Sequence, residues 1–167
     1  PAAKDAFIKA AEIAKNAGRK VALSLSDSFC VSRHRESFIK LVEDYIDILF
    51  ANEDEITSLY KTSNLNLAIE QLKKKCELAA ITLGKNGSII ISNSKAIPIE
   101  PFIQGEVIDT TGAGDLFAGG FLKGLSSGLS PVISAKMGSI CAGQIVTQLG
   151  SRSNTDLSGL IKLHLGI

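Results

Sequence analysis

Apolar and polar residues follow a repeating pattern along the first half of the chain, in which a segment with helical spacing precedes a short apolar run. In the first repeat, Phe7 and several alanines recur at helical spacing, and Gly18 ends the helix. The predicted helices cover residues 3–17, 35–42 and 66–75, and the predicted strands cover residues 20–25, 46–51 and 78–83. These repeats favour the α/β class, with a mainly parallel, Rossmann-like central sheet covered by helices.

The pattern changes after residue 83. Residues 84–87 form a Gly-Lys-Asn-Gly turn, and the apolar run at 88–92 returns from it, which predicts an antiparallel hairpin at the edge of the sheet. The remaining predicted elements are a strand at 96–99 and helices at 112–125, 130–149 and 156–165. Close packing of the first of these helices is expected from three glycines that recur every four residues, Gly120, Gly124 and Gly128.

The composition fits one ordinary domain. Of the 167 residues, 45% are hydrophobic, and the net charge of +1 argues against a surface for nucleic acid. No apolar run approaches the roughly 20 residues of a membrane span, and the N-terminus lacks the pattern of a secretion signal. Three widely spaced cysteines without metal-ligand spacing favour a reduced, cytoplasmic protein in which each thiol is buried. They are Cys30, Cys76 and Cys141.

The heptapeptide Asp-Thr-Thr-Gly-Ala-Gly-Asp at residues 109–115 carries the strongest chemical signal. Thr110 or Thr111 is expected to cap a helix whose first-turn N–H groups are open to an anion, because the small residues that follow let a phosphate approach. Asp115 lies where it could take a proton from a hydroxyl that attacks a phosphoryl group. The alternative is that the glycines only permit close helix packing and that Asp115 only complements the helix dipole.

This heptapeptide resembles the C-terminal signature of the ribokinase or PfkB family of ATP-dependent sugar and nucleoside kinases, which is close to Asp-Thr-x-Gly-Ala-Gly-Asp. The resemblance implies a ribokinase-like, three-layer α/β/α fold. It implies that Asp115 is the catalytic base. The backbone N–H groups of the preceding residues would then form the anion hole for the transferred phosphoryl group, namely those of Gly112, Ala113 and Gly114.

By the same resemblance, Asp109 and the carbonyl of Thr111 correspond to a monovalent cation site, with potassium (K+) as the candidate ion. An Asp before two threonines is about as often a turn or capping residue. The sequence leaves both interpretations open.

Asn52 and Glu55 follow the second predicted strand and share one face of a helix. In the resembled family an Asn-x-x-Glu motif at this place helps to bind magnesium (Mg2+) and the ATP phosphates, largely through water. The same residues read as a capping box, with Asn52 as N-cap and Glu55 reaching back from the third helical position. The two roles are compatible.

Thr82, Gly84 and Gly87 resemble the family's Thr-x-Gly-x-x-Gly nucleotide-binding turn, in which glycines let the backbone approach the nucleotide. The alternative is an ordinary hairpin turn whose glycines tolerate positive φ. No Gly-x-x-x-x-Gly-Lys-Ser/Thr motif is present, which disfavours the P-loop kinases.

The expected function is therefore phosphoryl transfer from magnesium ATP to a hydroxyl of a sugar or nucleoside. Residues 25–29 and 48–53 resemble the adenosine-kinase-like branch of the family. Because the chain opens at Pro1 inside a predicted helix, we expect it to be the nucleotide-binding half of a longer kinase and inactive alone. A noncatalytic nucleotide-binding module and a phosphate-releasing hydrolase are the alternatives, and a homodimer is left open.

Overall fold

The computed structural model describes residues 2–167, which fall into two compact units. The first unit comprises residues 2–82 and Ile91–Ala96, and the second comprises Leu83–Ile90 and Ile97–Ile167. In the first unit the elements are α1 (Ala2–Asn16), β1 (Ala22–Ser24), α2 (Ser28–Arg33), α3 (Arg35–Asp44), β2 (Ile48–Asn52), α4 (Glu53–Tyr60), α5 (Leu65–Leu72) and β3 (Leu78–Thr82).

The three strands of the first unit are parallel neighbours. Leu23 of β1 pairs with Leu49 of β2, which in turn pairs with Ala79 of β3. Residues 48–51 of β2 are all buried, as expected for a central strand of a parallel sheet that is covered on both faces. The predicted parallel order of these three strands is therefore confirmed.

Strand β1 is shorter than the apolar run at 20–25 predicts. The ladder stops because Ser26 has a left-handed φ of 64°, which turns the chain away directly after Leu25 donates its N–H to the Phe50 carbonyl. The turn leads into α2, a helix that periodicity did not predict. Asp27 caps α2 by accepting the Cys30 N–H at 2.6 Å.

The second unit contains a 3-10 turn (Gly84–Asn86), α6 (Ala113–Ser126), α7 (Pro131–Ile145) and α8 (Leu157–Leu165). Strands β4 (Ser88–Ser92) and β5 (Lys95–Ile99) have residues in both units. The five strands lie in the order β1-β2-β3-β4-β5. The connections on either side of β4 are too short for a parallel crossover, so the sheet is mixed with an antiparallel edge, as predicted.

The loop between β4 and β5 consists of Asn93 and Ser94, which both have positive φ values, 50° and 59°. This is the backbone of a two-residue type I′ hairpin turn, the form that matches the twist of the flanking strands. Pro98 in β5 is compatible with an edge strand, since proline cannot donate to a further ladder.

Glycines bring α6 and α7 into backbone contact, as their spacing predicts. A Cβ built on Gly120 would lie 2.9 Å from the Met137 carbonyl oxygen, and one built on Gly138 would lie 2.7 Å from the Phe117 carbonyl oxygen. Gly128 serves another purpose: it has φ +80° and no atom within 4 Å of a built Cβ, so it forms the turn after α6. Helix α7 ends at Ile145, short of the predicted 149.

Two of the three cysteines are buried as expected, Cys76 and Cys141. The expectation was wrong for Cys30, which is exposed. Cys30 lies in the unpredicted helix α2, where only Val31 is buried.

Asp47 fastens α1 to the segment before β1. Its carboxylate accepts a 2.7 Å hydrogen bond from the Val21 N–H and lies 2.7 Å from the Lys15 ammonium group. Burial opposes ionisation, but the Lys15 and Val21 hydrogen bonds outweigh it and hold the pKa of Asp47 below its usual value. We expect Asp47→Asn to lower the free energy of unfolding at pH 7 by about 1–2 kcal/mol.

The difference in unfolding free energy between the parent and Asp47→Asn must depend on pH. A carboxyl group with a lowered folded pKa stabilises the fold above its unfolded pKa, and that contribution is lost as pH falls through the folded value. Urea unfolding of both proteins between pH 7 and pH 2 should therefore show that the difference in their unfolding free energies becomes smaller below about pH 4. A free-energy difference that stays constant to pH 2 would contradict the stabilising role of ionised Asp47.

Ser134 of α7 is fully buried, and its hydroxyl has no hydrogen-bond partner within the described residues. Since an unpaired buried hydroxyl costs free energy, Ser134→Ala should raise the free energy of unfolding by about 1 kcal/mol. Ser130→Ala is the matched control in the same helix, because the Ser130 hydroxyl accepts the Ile133 N–H as the N-cap. That change should lower stability by about 1 kcal/mol. If urea unfolding showed that both variants change stability in the same direction, the unpaired hydroxyl of Ser134 would not be the cause.

Candidate active site

The signature turn, residues 109–115, leads into α6 through a glycine rather than a threonine. Gly112 is the N-cap, with φ +81°, and the Ala113 N–H donates to the Thr110 carbonyl at 3.2 Å. The prediction that Thr110 or Thr111 caps the helix was therefore wrong. The left-handed backbone requires glycine, and a Cβ at Gly112 would lie 2.7 Å from the Ser151 Cβ.

Three N–H groups of this turn remain available to a ligand. Within residues 2–167, nothing accepts a hydrogen bond from the N–H groups of Gly112, Gly114 or Asp115. A Cβ built on Gly114 would meet no atom within 4 Å, so the space beside its backbone is open. Unpaired donors at the positive end of a 14-residue helix are suited to an anion.

Asp115 projects from the first turn of α6 and is exposed. No group in the described part of the chain donates a hydrogen bond to its carboxylate or forms an ion pair with it. A carboxylate with no structural partner, beside unpaired N–H donors, has the geometry expected of a base next to an anion site.

Asp109 holds the turn to the segment after α7. One carboxylate oxygen accepts the Thr111 N–H and the other accepts the Gly150 N–H, each at 2.9 Å. The Gly150 N–H, followed by Thr111, keeps the pKa of Asp109 below its usual value. The turn-residue interpretation of Asp109 is confirmed, and its role with Thr111 at a monovalent cation stays a prediction.

In the first unit, Asn52 and Glu55 form the predicted capping box at the start of α4. Asn52 accepts the Glu55 N–H at 2.8 Å, and Glu55 accepts the Asn52 N–H at 2.9 Å. The Asn52 amide also donates to the second Glu55 oxygen at 2.9 Å. Glu55 is only 6% exposed, and burial, reinforced by Asp27 and Asp54, raises its pKa against the opposing Asn52 N–H.

This geometry fits a magnesium ion held through water better than one ligated directly. Both Glu55 oxygens already accept hydrogen bonds from Asn52, so direct ligation would disturb the cap. Among the described residues, no group of three or more His, Cys, Asp or Glu side chains could hold a metal ion. An ion here would therefore take most of its ligands from water and phosphate, as Mg2+ commonly does.

The sheet brings Thr82 next to Asn52. The two residues pair in register at the carboxyl ends of β3 and β2, where ligands bind in open parallel sheets. The Thr82 hydroxyl is half-buried and makes only a long, 3.4 Å hydrogen bond to the Ala51 carbonyl. Its hydroxyl can therefore turn towards a ligand at little cost.

In the second unit, the two glycines of the turn after β3 differ in purpose. Gly84 has φ +57° and no atom within 4 Å of a built Cβ, so it faces open space. Gly87 has φ +85°, and a Cβ there would collide with the Ile99 carbonyl oxygen. Gly87 is thus required by packing, whereas Gly84 leaves the backbone accessible.

Sequence reasoning missed the part played by Gly150 and Ser151. They lie after α7 and contact Asp109 and Gly112 of the signature turn. Gly150 is 41 residues from Asp109, and no local motif marks it. A glycine directly after a predicted helix was the available signal, and it indicated only a helix end.

Comparison with solved structures defines the class of this fold. The chain superposes on a putative ribokinase II from E. coli, in complex with ATP and Mg2+, with a TM-score of 0.83 and 22% identity over 96% of this chain and 54% of that one. The fold is therefore ribokinase-like, with the three-layer α/β/α arrangement that the sequence predicts. The sequence profile of the pfkB family of carbohydrate kinases matches residues 1–157, and the chain belongs to that family.

Two relatives are closer in sequence. The adenosine kinase from Sinorhizobium meliloti is 41% identical, with a TM-score of 0.93, over 98% of this chain and 50% of that chain. A ribokinase of Lactococcus lactis is 32% identical over 123 residues, which is 73% of this chain and 39% of the relative. The chain thus spans about half the length of the relatives it matches or less. No helix in the described residues is both long and apolar enough to cross a membrane.

Proposed function

We propose that this chain supplies the nucleotide-binding and base-carrying half of a kinase that transfers a phosphoryl group from ATP to a hydroxyl of a nucleoside or sugar. The observation that carries the proposal is the signature turn, in which three unpaired N–H groups stand beside the unpartnered carboxylate of Asp115. The 41% identity to an adenosine kinase supports a nucleoside such as adenosine as the acceptor, with a ribose-like sugar as the alternative.

In the proposed reaction, Asp115 takes the proton of the acceptor hydroxyl while the hydroxyl oxygen bonds to the γ-phosphorus of ATP. The bond between the γ-phosphorus and the β-phosphate oxygen breaks at the same time and releases ADP. The N–H groups of Gly112 and Gly114 donate to the transferred phosphoryl oxygens, whereas the third predicted donor, the Ala113 N–H, is already bonded to the Thr110 carbonyl. These donors are fixed by the helix before the ligand arrives, so they need no reorganisation during the reaction.

Asn52, Glu55 and Thr82 would bind magnesium ATP at the carboxyl ends of β2 and β3. Bound Mg2+ supplies positive charge that offsets the charge of the phosphates. Glu55 orders the water around the ion while remaining in its capping box, and Thr82 donates to a phosphate oxygen. Gly84 lets the backbone approach the nucleotide, and Gly87 keeps the same turn packed against Ile99. A potassium ion at Asp109 and Thr111, a homodimer and a cytoplasmic location stay predictions.

Calorimetric titration of Mg2+-ATP into the chain, shown to be folded by circular dichroism, tests the proposal. Saturable binding is expected, and Glu55→Gln should weaken it. A folded chain that binds no nucleotide would contradict the preformed site. A phosphate-release assay without an acceptor, in a protein of the relatives' full length, would detect a hydrolase, and nucleotide binding without either reaction would indicate a noncatalytic module.

A further inference from the structure

The segment between α7 and α8, residues 146–156 (the α7–α8 loop), supports the signature turn at three points. Its first residue, Val146, accepts the Ile108 and Asp109 N–H groups at 2.8 Å and 3.3 Å. Its Gly150 donates to the Asp109 carboxylate at 2.9 Å. The third point is packing, because Ser151 fills the space beside Gly112 that a side chain there would need. The position of the turn therefore depends on the shape of this loop.

The Gln148 side chain makes two hydrogen bonds across this loop. The Gln148 amide nitrogen donates to the Arg152 carbonyl at 2.6 Å, and the Gln148 amide oxygen accepts the Asn154 N–H at 3.1 Å. These two bonds join the start of the loop to its far side, with Gly150 and Ser151 between them. Gly150 has φ +82°, a conformation that glycine adopts readily, and within the closed loop its N–H reaches the Asp109 carboxylate.

We propose that Gln148 is a positioning residue for the signature turn: by closing the α7–α8 loop, its amide holds Gly150 against Asp109 and Ser151 against Gly112. The consequence for catalysis rests on the proposed function, because it matters only if the Gly112 and Gly114 N–H groups bind a phosphoryl group. Gln148 acts through Gly150 and Ser151, and its own side chain binds only the loop.

The chemistry of the loop requires an amide at this position. One end must donate to a carbonyl oxygen and the other must accept an N–H, and a carboxylate can only accept. Gln148→Glu keeps the size of the side chain but places an oxygen against the Arg152 carbonyl, so the loop should open. Gln148→Ala removes both bonds.

Gln144 provides a matched control one helical turn earlier. Its amide donates to the hydroxyls of Thr147 and Thr155, and among the described residues neither threonine makes a hydrogen bond to the signature turn. Gln144→Ala therefore removes an amide of the same kind from the same helix end without touching the contacts of Gly150 or Ser151.

Amide exchange and resonance positions, measured by 1H–15N NMR on the unliganded chain, decide the inference without any nucleotide. In Gln148→Ala and Gln148→Glu, we expect the Gly150 amide to exchange about tenfold faster and the Gly112 and Gly114 resonances to shift. Gln144→Ala should change neither. Urea unfolding must show that the Gln148 variants remain folded. If Gln148→Ala is unfolded, the test is made with Gln148→Glu.

The inference is overturned if Gly150 exchange stays at the wild-type rate, if the Gly112 and Gly114 resonances do not move, or if Gln144→Ala has the same effects. Titration of Mg2+-ATP then tests the consequence separately, with about tenfold weaker binding expected in the Gln148 variants. A wild-type chain that binds no Mg2+-ATP would contradict the proposed function alone, because the exchange and resonance results stand without it.

Discussion

Asp115→Asn is expected to reduce turnover by about 10²- to 10⁴-fold, which is the range that a positioned general base contributes. Asparagine keeps the size of the side chain but cannot take the proton of the acceptor hydroxyl. Binding of Mg2+-ATP should be unchanged within about threefold, because the N–H groups of the turn are unaltered. The assay belongs in a protein of the relatives' full length that contains these residues, with turnover and nucleotide affinity measured on the same preparation.

Asp156→Asn is the matched control. Asp156 also stands at the start of a helix, where it caps α8 by accepting the Ser158 N–H at 3.0 Å. Because asparagine caps a helix about as well as aspartate, this replacement should change stability little and leave turnover unchanged. If Asp115→Asn kept the parent's turnover, or if Asp156→Asn lost as much, Asp115 would have only the helix-dipole role that its position also allows.

The two glycines of the signature turn should respond to alanine in opposite ways. Gly112→Ala must place a side chain at φ +81° and 2.7 Å from the Ser151 Cβ, so we expect a loss of about 2–4 kcal/mol in the free energy of unfolding. Gly114→Ala meets no atom and has helical geometry, so stability should stay level or rise by up to about 1 kcal/mol. Its Cβ occupies the open space beside the N–H donors, and Mg2+-ATP affinity should fall by about tenfold or more.

Gly119→Ala separates these effects from helix propensity. Gly119 lies in the same helix and likewise has no atom within 4 Å of a built Cβ. Its replacement should stabilise the fold without changing affinity, as seen by urea unfolding and calorimetry. Equal affinities for Gly114→Ala and the parent would show that no ligand approaches the turn at Gly114.

Periodicity predicted most of the fold because the core strands are short, apolar and buried, as in β2. It missed α2, a six-residue helix with one buried residue, because so short a segment has too little apolar pattern to detect. Strand β1 was predicted too long because the apolar run continues to Leu25, whereas the backbone already leaves the ladder for the turn at Ser26. Serine is not a residue type that signals a positive φ, so the sequence does not show where the strand ends.

The candidate site was predictable where its residues are close in sequence. Asn52 and Glu55 lie one helical turn apart, and their mutual hydrogen bonds follow from local geometry. The cap at Gly112 was not predictable in the same way, because threonine is a good N-cap in isolation, whereas the observed cap has a left-handed φ of +81° that suits glycine. Contacts between distant segments need the tertiary structure.

The glycine contacts between α6 and α7 have a consequence for how this family can diverge. At Gly120 and Gly138 the backbones of the two helices meet directly, with the Cys141 sulfur and the Phe117 ring beside them, and at Gly124 the neighbour is Ser134, so small residues set the distance between the helices. A larger residue at Ser134 or Cys141 would therefore push the helices apart, so these two positions have little freedom to vary. In the proposed kinase, selection on the acceptor can then alter the rest of the protein while the N–H groups proposed to bind the phosphoryl group keep their place.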